Sequence, residues 1–267
     1  MIEIIGYIFA VIIGLILGLM GGGGSIITVP VLVYIMGISP VTATAYSLFI
    51  VGTTSAFGTI QNLKNKLVDI KTSLMFAFPS LVGVFLSRKF IIPAIPNTII
   101  SIGTFKVEKG MFLMVLFAII MLFAAKSMLK SRKPENEAIA KVEATSGEIV
   151  FTMFQVFLIG IVVGLIGAGG GFLFIPMLIF ITKLPMKTAV ATSLFIIAIN
   201  SLIGFIGDIG VTIIDWRFLL LFSLFSVIGI FIGIYLTKYI NDKQLKKGFG
   251  YFVLLMSAVI FVKELFL

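Results

Sequence analysis

Apolar positions in this chain fall in long blocks rather than in alternating or one-sided patterns. Residues 4–20, 25–36, 41–60, 72–87, 110–125, 149–166, 172–182, 188–206, 218–237 and 248–262 form nearly unbroken apolar runs, separated by short polar connections. Several approach the roughly 20 residues that carry a helix across a ~30 Å hydrocarbon layer. Backbone groups in lipid need internal partners, and strict alternation is missing, so helices are predicted rather than a barrel. The expected fold is an all-α polytopic transmembrane bundle, with about eight spanning helices or two sets of five helical pieces.

The runs repeat. Residues 14–71 and 160–217 align without a gap at an offset of 146, with 20 identities in 58 positions. Shared apolar composition alone gives on the order of one match in ten, so the chain is an internal duplication. Gly18-Leu-Met-Gly21-Gly22-Gly23-Gly24-Ser25 with Pro30 returns as Gly164-Leu-Ile-Gly167-Ala168-Gly169-Gly170-Gly171 with Pro176. The organisation predicted is a first membrane repeat at 1–129, a linker at 130–147 and a second membrane repeat at 148–267. The linker is the longest polar stretch and carries Pro134 between mixed charges, which suits a flexible solvated loop.

Basic residues set the orientation. If 4–36 were one broken helix, both membrane faces would hold ten Lys and Arg. If 4–20 and 25–36 form a hairpin, and 149–166 and 172–182 another, each half has five pieces and the halves are inverted. One face then collects Lys64, Lys66, Lys71, Lys126, Lys130, Arg132, Lys133, Lys141, Lys183, Lys187, Lys238, Lys243, Lys246 and Lys247. The other keeps Arg88, Lys89, Lys106, Lys109, Arg217 and Lys263, a division of 14 to 6. The positive-inside tendency selects the inverted 5+5 scheme, with the 130–147 loop cytoplasmic. At about 18 Å, a helix over 25–36 is too short to span, so the second piece of each hairpin is expected to be re-entrant. The first run lacks a basic leader and its glycines belong to the repeat, so no cleavable signal is expected.

The glycine clusters carry the first candidate chemistry. Consecutive glycines disfavour a helix, each by about 1 kcal/mol relative to alanine, and a new helix should begin just after them. Its first N–H groups have no intrahelical partner and sit at the positive end of the helix dipole, which suits an anion. An inverted copy brings a second helix start toward the first at the midplane. The substrate-binding candidates are therefore Gly21, Gly22, Gly23, Gly24 and Ser25 in one copy and Gly167, Gly169, Gly170 and Gly171 in the other. Gly14, Gly18, Gly160 and Gly164 fit close helix packing instead.

A second constellation follows each short helix. Thr42-Ala-Thr-Ala-Tyr-Ser47-Leu-Phe-Ile50 matches Thr188-Ala-Val-Ala-Thr192-Ser193-Leu-Phe-Ile196. Thr42 and Thr188 are expected to cap the helices that start there. Ser47, Thr54 and Gly58 then share one face, as do Ser193, Asn200 and Gly204, with Ser55 and Ser201 alongside. Such a polar stripe serves either interhelical hydrogen bonding or anion coordination, and Ser47, Thr54, Thr192, Ser193 and Asn200 join the candidates.

Composition narrows the function classes. With 12% charged residues against roughly 25% in soluble domains, and 60% hydrophobic, the chain is a membrane protein. Cysteine and histidine are both absent from the sequence, which removes thiol, disulfide and the usual zinc chemistry. No charged residue lies within an apolar run as delimited here, so the expectation is that charges stand only at helix ends. Asp69 and Asp215 are repeat-matched and expected to cap the following helices. Asp208, opposite Asn62 in the alignment, is the best-placed titratable group for ion coupling. There is no Gly-x-x-x-x-Gly-Lys-Ser/Thr loop for ATP and no nucleophile–base pair, so neither an ATP-driven pump nor an enzyme is expected, and no cofactor, metal or nucleic acid.

With these motifs in place, the doubled Gly-Leu-x-Gly-x-Gly-Gly-Gly/Ser…Pro element, each followed by Thr-Ala-x-Ala-x-Ser-Leu and later Val/Ile-Asp-Ile/Trp-Lys/Arg, resembles the TauE/SafE sulfite-exporter family. The resemblance covers nearly the whole chain. It implies a prokaryotic plasma-membrane protein that carries sulfur-containing anions such as sulfite, sulfoacetate or related organosulfonates. The chain departs from a symmetric pattern in one place: Asp208 and no basic residue follow Gly204, whereas Gln61-Asn-Leu-Lys-Asn-Lys66 is basic. The reading is a secondary transporter or exporter of small anions, with an anion channel and a non-transporting membrane subunit as alternatives. Cargo, direction, coupling ion (proton or sodium) and oligomeric state stay open.

Overall fold

The computed structural model describes residues 2–102, 105–129, 146–210 and 214–266. The described residues form ten helices, five from each repeat. The first five are α1 (Ile2–Met20), α2 (Gly23–Pro30), α3 (Pro40–Lys64), α4 (Ile70–Leu86) and α5 (Lys109–Leu129). The second five are α6 (Ser146–Ile166), α7 (Gly171–Ile181), α8 (Met186–Asp208), α9 (Trp216–Leu236) and α10 (Asp242–Phe266). Helix α2 continues through a π-helical turn, Val31–Ile35; α4 continues through another, Ser87–Ile91, into Ile92–Ala94. One departure from all-α is an antiparallel hairpin between α4 and α5, β1 (Thr98–Ile102) and β2 (Phe105–Glu108). Most of the 130–147 linker lies outside the described residues.

Local chemistry explains most helix starts. Asp69 and Asp215 cap α4 and α9 as expected, accepting at 3.0 Å from the backbone N–H groups of Thr72 and Phe218. The expected threonine caps are corrected. Ser39 caps α3 with Pro40 in its first turn, and Pro185 precedes α8. Proline's locked φ suits these positions, so each helix begins two residues before its threonine.

Helix direction follows from the glycine contacts. Gly14 lies against Ser226 and Ile230, and Gly18 against Ile230, Gly233 and Ile234, so α1 and α9 run parallel. In the same way Gly83 meets Phe157 and Gly160 while Gly164 meets Val84 and Ser87, so α4 and α6 run parallel. Without Cβ atoms there, two backbones approach closely, the packing role expected of Gly14, Gly18, Gly160 and Gly164. Equivalent helices behave differently. Gly52 faces Leu202, Gly58 faces Leu194 and Gly204 faces Leu48, so α3 and α8 are antiparallel. So are α5 and α10, where Ser257 donates to the Ala118 carbonyl at 2.8 Å and Gly250 meets Met128 and Leu129.

First helix on fourth helix of the other half, in both senses, with equivalent helices antiparallel, is the packing of two halves related by a pseudo-two-fold axis. A same-direction arrangement would leave α3 and α8 parallel. The hairpin scheme is therefore the one the chain adopts.

Among the described residues, five helical spans combine sufficient length and apolarity to cross a membrane: residues 70–94, 109–129, 186–208, 216–239 and 242–264. Helix α3 has 25 residues, but Thr42, Thr44, Ser47, Thr53, Thr54, Ser55 and Thr59 dilute its hydropathy. It is nonetheless buried along most of its length, at the centre of the bundle. Large apolar side chains such as Phe78, Phe123 and Leu255 point outward instead, a surface that water would not tolerate and lipid does.

Candidate functional site

Both glycine clusters are buried. The first breaks the chain only at Gly21, whose φ is +60°, and Gly22; Gly23 and Gly24 already belong to α2. The expectation that four glycines resist helix is corrected here, because tertiary packing overrides propensity. Gly24 sits against the Ile13 carbonyl and Leu17, where no side chain fits, and Gly23 against Met20 and Ile16. Ser25 is the third residue of α2, and its Oγ donates to the Gly22 carbonyl at 2.6 Å. In the second copy the break runs longer, with positive φ at Gly167, Gly169 and Gly170, and α7 starts at Gly171.

The two helix starts meet, as an inverted pair requires. They meet in direct contact: a Cβ on Gly22 would overlap the Gly171 and Phe172 backbone, and one on Gly171 would overlap Gly22. The gap expected between them is closed in this structure. Polar groups gather around the junction. Gly21 lies against Ser193 and the Val190 carbonyl, Gly169 against Ser201, and Gly167 against Thr44 and the Arg88 guanidinium.

The hydroxyl and amide candidates separate by what they bond. Thr54 Oγ1 donates to the Ile50 carbonyl at 2.6 Å and Ser193 Oγ to the Val190 carbonyl at 2.8 Å, both within their own helices. Thr192 Oγ1 accepts the Asp69 N–H at 3.1 Å and so braces the start of α4. Asn200 Nδ2 donates to Ser80 Oγ at 2.7 Å, but its Oδ1 has no partner. Ser47, Ser55 and Ser201 are buried with unpartnered Oγ atoms. Buried polar atoms are ordinarily paired. Ser47 and Ser55 lie on α3, and Asn200 and Ser201 on α8, the two helices that pack against each other there.

One residue escaped the sequence reading. Arg88 is 1% exposed, in the π-helical turn that extends α4, and the expectation that charges stand only at helix ends is corrected by it. Its Nη1 lies 3.2 Å from Thr44 Oγ1 and 3.3 Å from Asp208 Oδ2, while Nε and Nη2 have no partner. Asp208, 7% exposed at the end of α8, therefore faces a fixed positive charge. Arg88 was hidden because the apolar run stops at residue 87 although the helix does not. A signal was available: the repeat offset sets Ser87-Arg88-Lys89 opposite Gly233-Ile234-Tyr235, an unmatched charge on a helical position. At the related corner of the other half, Gly18, Asn62, Lys187, Val190 and Thr237 line a small cleft.

Comparison with known proteins points to a membrane transporter family. The family described as Sulfite exporter TauE/SafE matches residues 7–260. The chain is similar to the probable membrane transporter protein YunE of Bacillus subtilis, 29% identical over 267 residues that cover 90% of each chain. It is also similar to a probable membrane transporter protein of Xylella fastidiosa, 28% identical over 252 residues, covering 93% of this chain and 91% of the relative. No solved structure matches. The chain belongs to the TauE/SafE family and is a multi-pass membrane transporter rather than an enzyme.

Proposed function

We propose that this TauE/SafE member is a secondary transporter of small anions, fitted to sulfite or organosulfonate-type oxyanions, that works by alternating access about the junction of α2 and α7. The observation that carries this reading is the meeting of two glycine-broken helix starts between antiparallel halves. Each start brings N–H groups without intrahelical acceptors and the positive end of a dipole. Inverted repeats with interrupted helices place substrate at such junctions. Separation of Gly22 from Gly171 as the halves rock would open a seat beside Ser47, Ser193 and Asn200, with Thr54 and Gly169 through Gly171 at its edge.

Backbone contact between Gly22 and Gly171 supports a carrier over a channel, since a continuous pore requires space there. The 14-to-6 division of basic residues supports a cytoplasmic 130–147 loop, and family membership supports a prokaryotic inner-membrane location. The test is flux into proteoliposomes. Labelled sulfite or sulfoacetate should enter saturably and accumulate uphill under an imposed proton or sodium gradient, while a neutral solute of similar size should not. Anion flux at channel rates with no uphill accumulation under any gradient would overturn the carrier reading.

A further inference from the structure

Resting on that reading, we infer that Arg88 is the residue that takes the anion, as a two-pronged ligand for an oxyanion beside the Gly167 turn, with Asp208 as the resident carboxylate that holds the guanidinium and sets how readily the anion leaves. A guanidinium has five N–H donors in a rigid fork. In this one the Nη1 side is engaged, by Thr44 Oγ1 at 3.2 Å and by the Asp208 charge at 3.3 Å. The Nε–Nη2 edge, which matches two oxygens of one carboxylate, sulfonate or sulfite, is buried and without a partner.

That edge is beside the helix break. Nη2 stands where a Cβ of Gly167 would fall, so only a glycine allows the guanidinium this close to the turn. Gly167, Gly169 and Gly170 have positive φ, so the chain turns beside the guanidinium without Cβ atoms that would crowd a guest. An unpaired buried guanidinium edge is costly unless something uses it.

The ion pair explains reversibility. A lone buried Arg would hold an anion tightly and need a counterion when empty. Asp208 supplies that counterion without consuming the fork, because its Oδ2 meets Nη1 as an ion pair and not as a hydrogen bond. The arrangement is one-sided: the repeat offset places Ile234 and Asn62 where Arg88 and Asp208 stand. The substrate class that follows is an oxyanion with two oxygens on one face, such as a sulfonate, sulfite or carboxylate. A halide offers the two donors a single acceptor atom, so it matches the fork less well than a two-oxygen anion.

The test uses the full-length chain in lipid nanodiscs, titrated with sodium sulfite, sulfoacetate, acetate and chloride and followed by calorimetry and thermal shift. Arg88→Lys keeps the charge but loses the fork, and should weaken sulfite or sulfoacetate binding about tenfold or more. Asp208→Asn removes the competing carboxylate and should tighten binding several-fold. Arg88→Gln with Asp208→Asn leaves no lone buried charge, so it should fold and should not bind. Arg217→Gln, on an exposed basic residue, should bind like the parent. Unchanged affinity in the Arg88 variants, or in Asp208→Asn, with a responsive parent would overturn the Arg88 assignment alone. A parent that responds to none of the oxyanions would overturn the anion reading and this inference together.

Discussion

The Tyr46 hydroxyl accepts the backbone N–H of Asp215 at 2.8 Å, and 146 residues later Thr192 Oγ1 accepts that of Asp69 at 3.1 Å. Each bond ties the long central helix of one half to the start of a helix in the other. Both aspartates spend their side chains capping α9 and α4, so their own N–H groups need an outside acceptor. The repeat supplies the same answer twice, with a phenol in one half and a threonine in the other.

Removing either brace leaves a part-buried donor unpaired. Tyr46→Phe and Thr192→Val should each lower stability by about 1–3 kcal/mol. Thermal unfolding of the purified protein checks this. A loss in one variant with no change in the other would break the equivalence of the two braces.

Ser47→Ala separates stability from function. The Ser47 hydroxyl is buried with no partner, so its removal should leave stability within about 1 kcal/mol of the parent. Anion flux should nonetheless fall several-fold. Asn200→Ala should lose both, because its Nδ2 bonds Ser80 Oγ at 2.7 Å; a stability loss of roughly 1–2 kcal/mol is expected there. Melting temperature and proteoliposome flux, measured on the same preparations, decide the matter.

Adjacent glycines should respond differently to alanine. At Gly22 a Cβ overlaps the Gly171 backbone, so Gly22→Ala should cost about 1–3 kcal/mol by overpacking. At Gly23 a Cβ would lie 3.0 Å from Met20 Cβ and 3.2 Å from Ile16 Cγ2, a crowding that a shift of a few tenths of an ångström relieves. Gly23 is helical, so alanine there gains up to about 1 kcal/mol of propensity and should be tolerated. Equal melting temperatures for the two variants would contradict the head-to-head contact.

The sequence contains no cysteine, so single cysteines report orientation cleanly. Thr98→Cys and Ile209→Cys should react with an impermeant maleimide added outside whole cells. Asn65→Cys and Lys243→Cys should react only after the membrane is opened. All four positions are exposed. Labelling of Asn65 from outside together with Thr98 would remove the inverted 5+5 orientation.

Much of the fold could be read from residue order because its causes are local or repeated. Apolar runs of helical length, the caps at Asp69 and Asp215, and the small residues at Gly14 and Gly160 each act through their own neighbourhood. The antiparallel relation of the halves was legible only indirectly, through where lysine and arginine fall. Gly23 and Gly24 misled, because helix propensity favours a break that packing against Ile13 and Leu17 does not allow. Arg88 misled more seriously: hydropathy ends its run at residue 87, and only a neighbouring helix could show where its charge goes.

Sequence alone determined that this chain is a duplicated, membrane-embedded helical bundle with paired glycine breaks, since length, apolarity and self-similarity need no partner to be seen. Tertiary structure decided which atoms meet. It set Gly22 against Gly171, and it turned Arg88 inward to Thr44 and Asp208 with one edge of its guanidinium free. Burial and pairing are properties of two chain segments at once, and residues 88 and 208 are brought together only by the packing of α4 along α8.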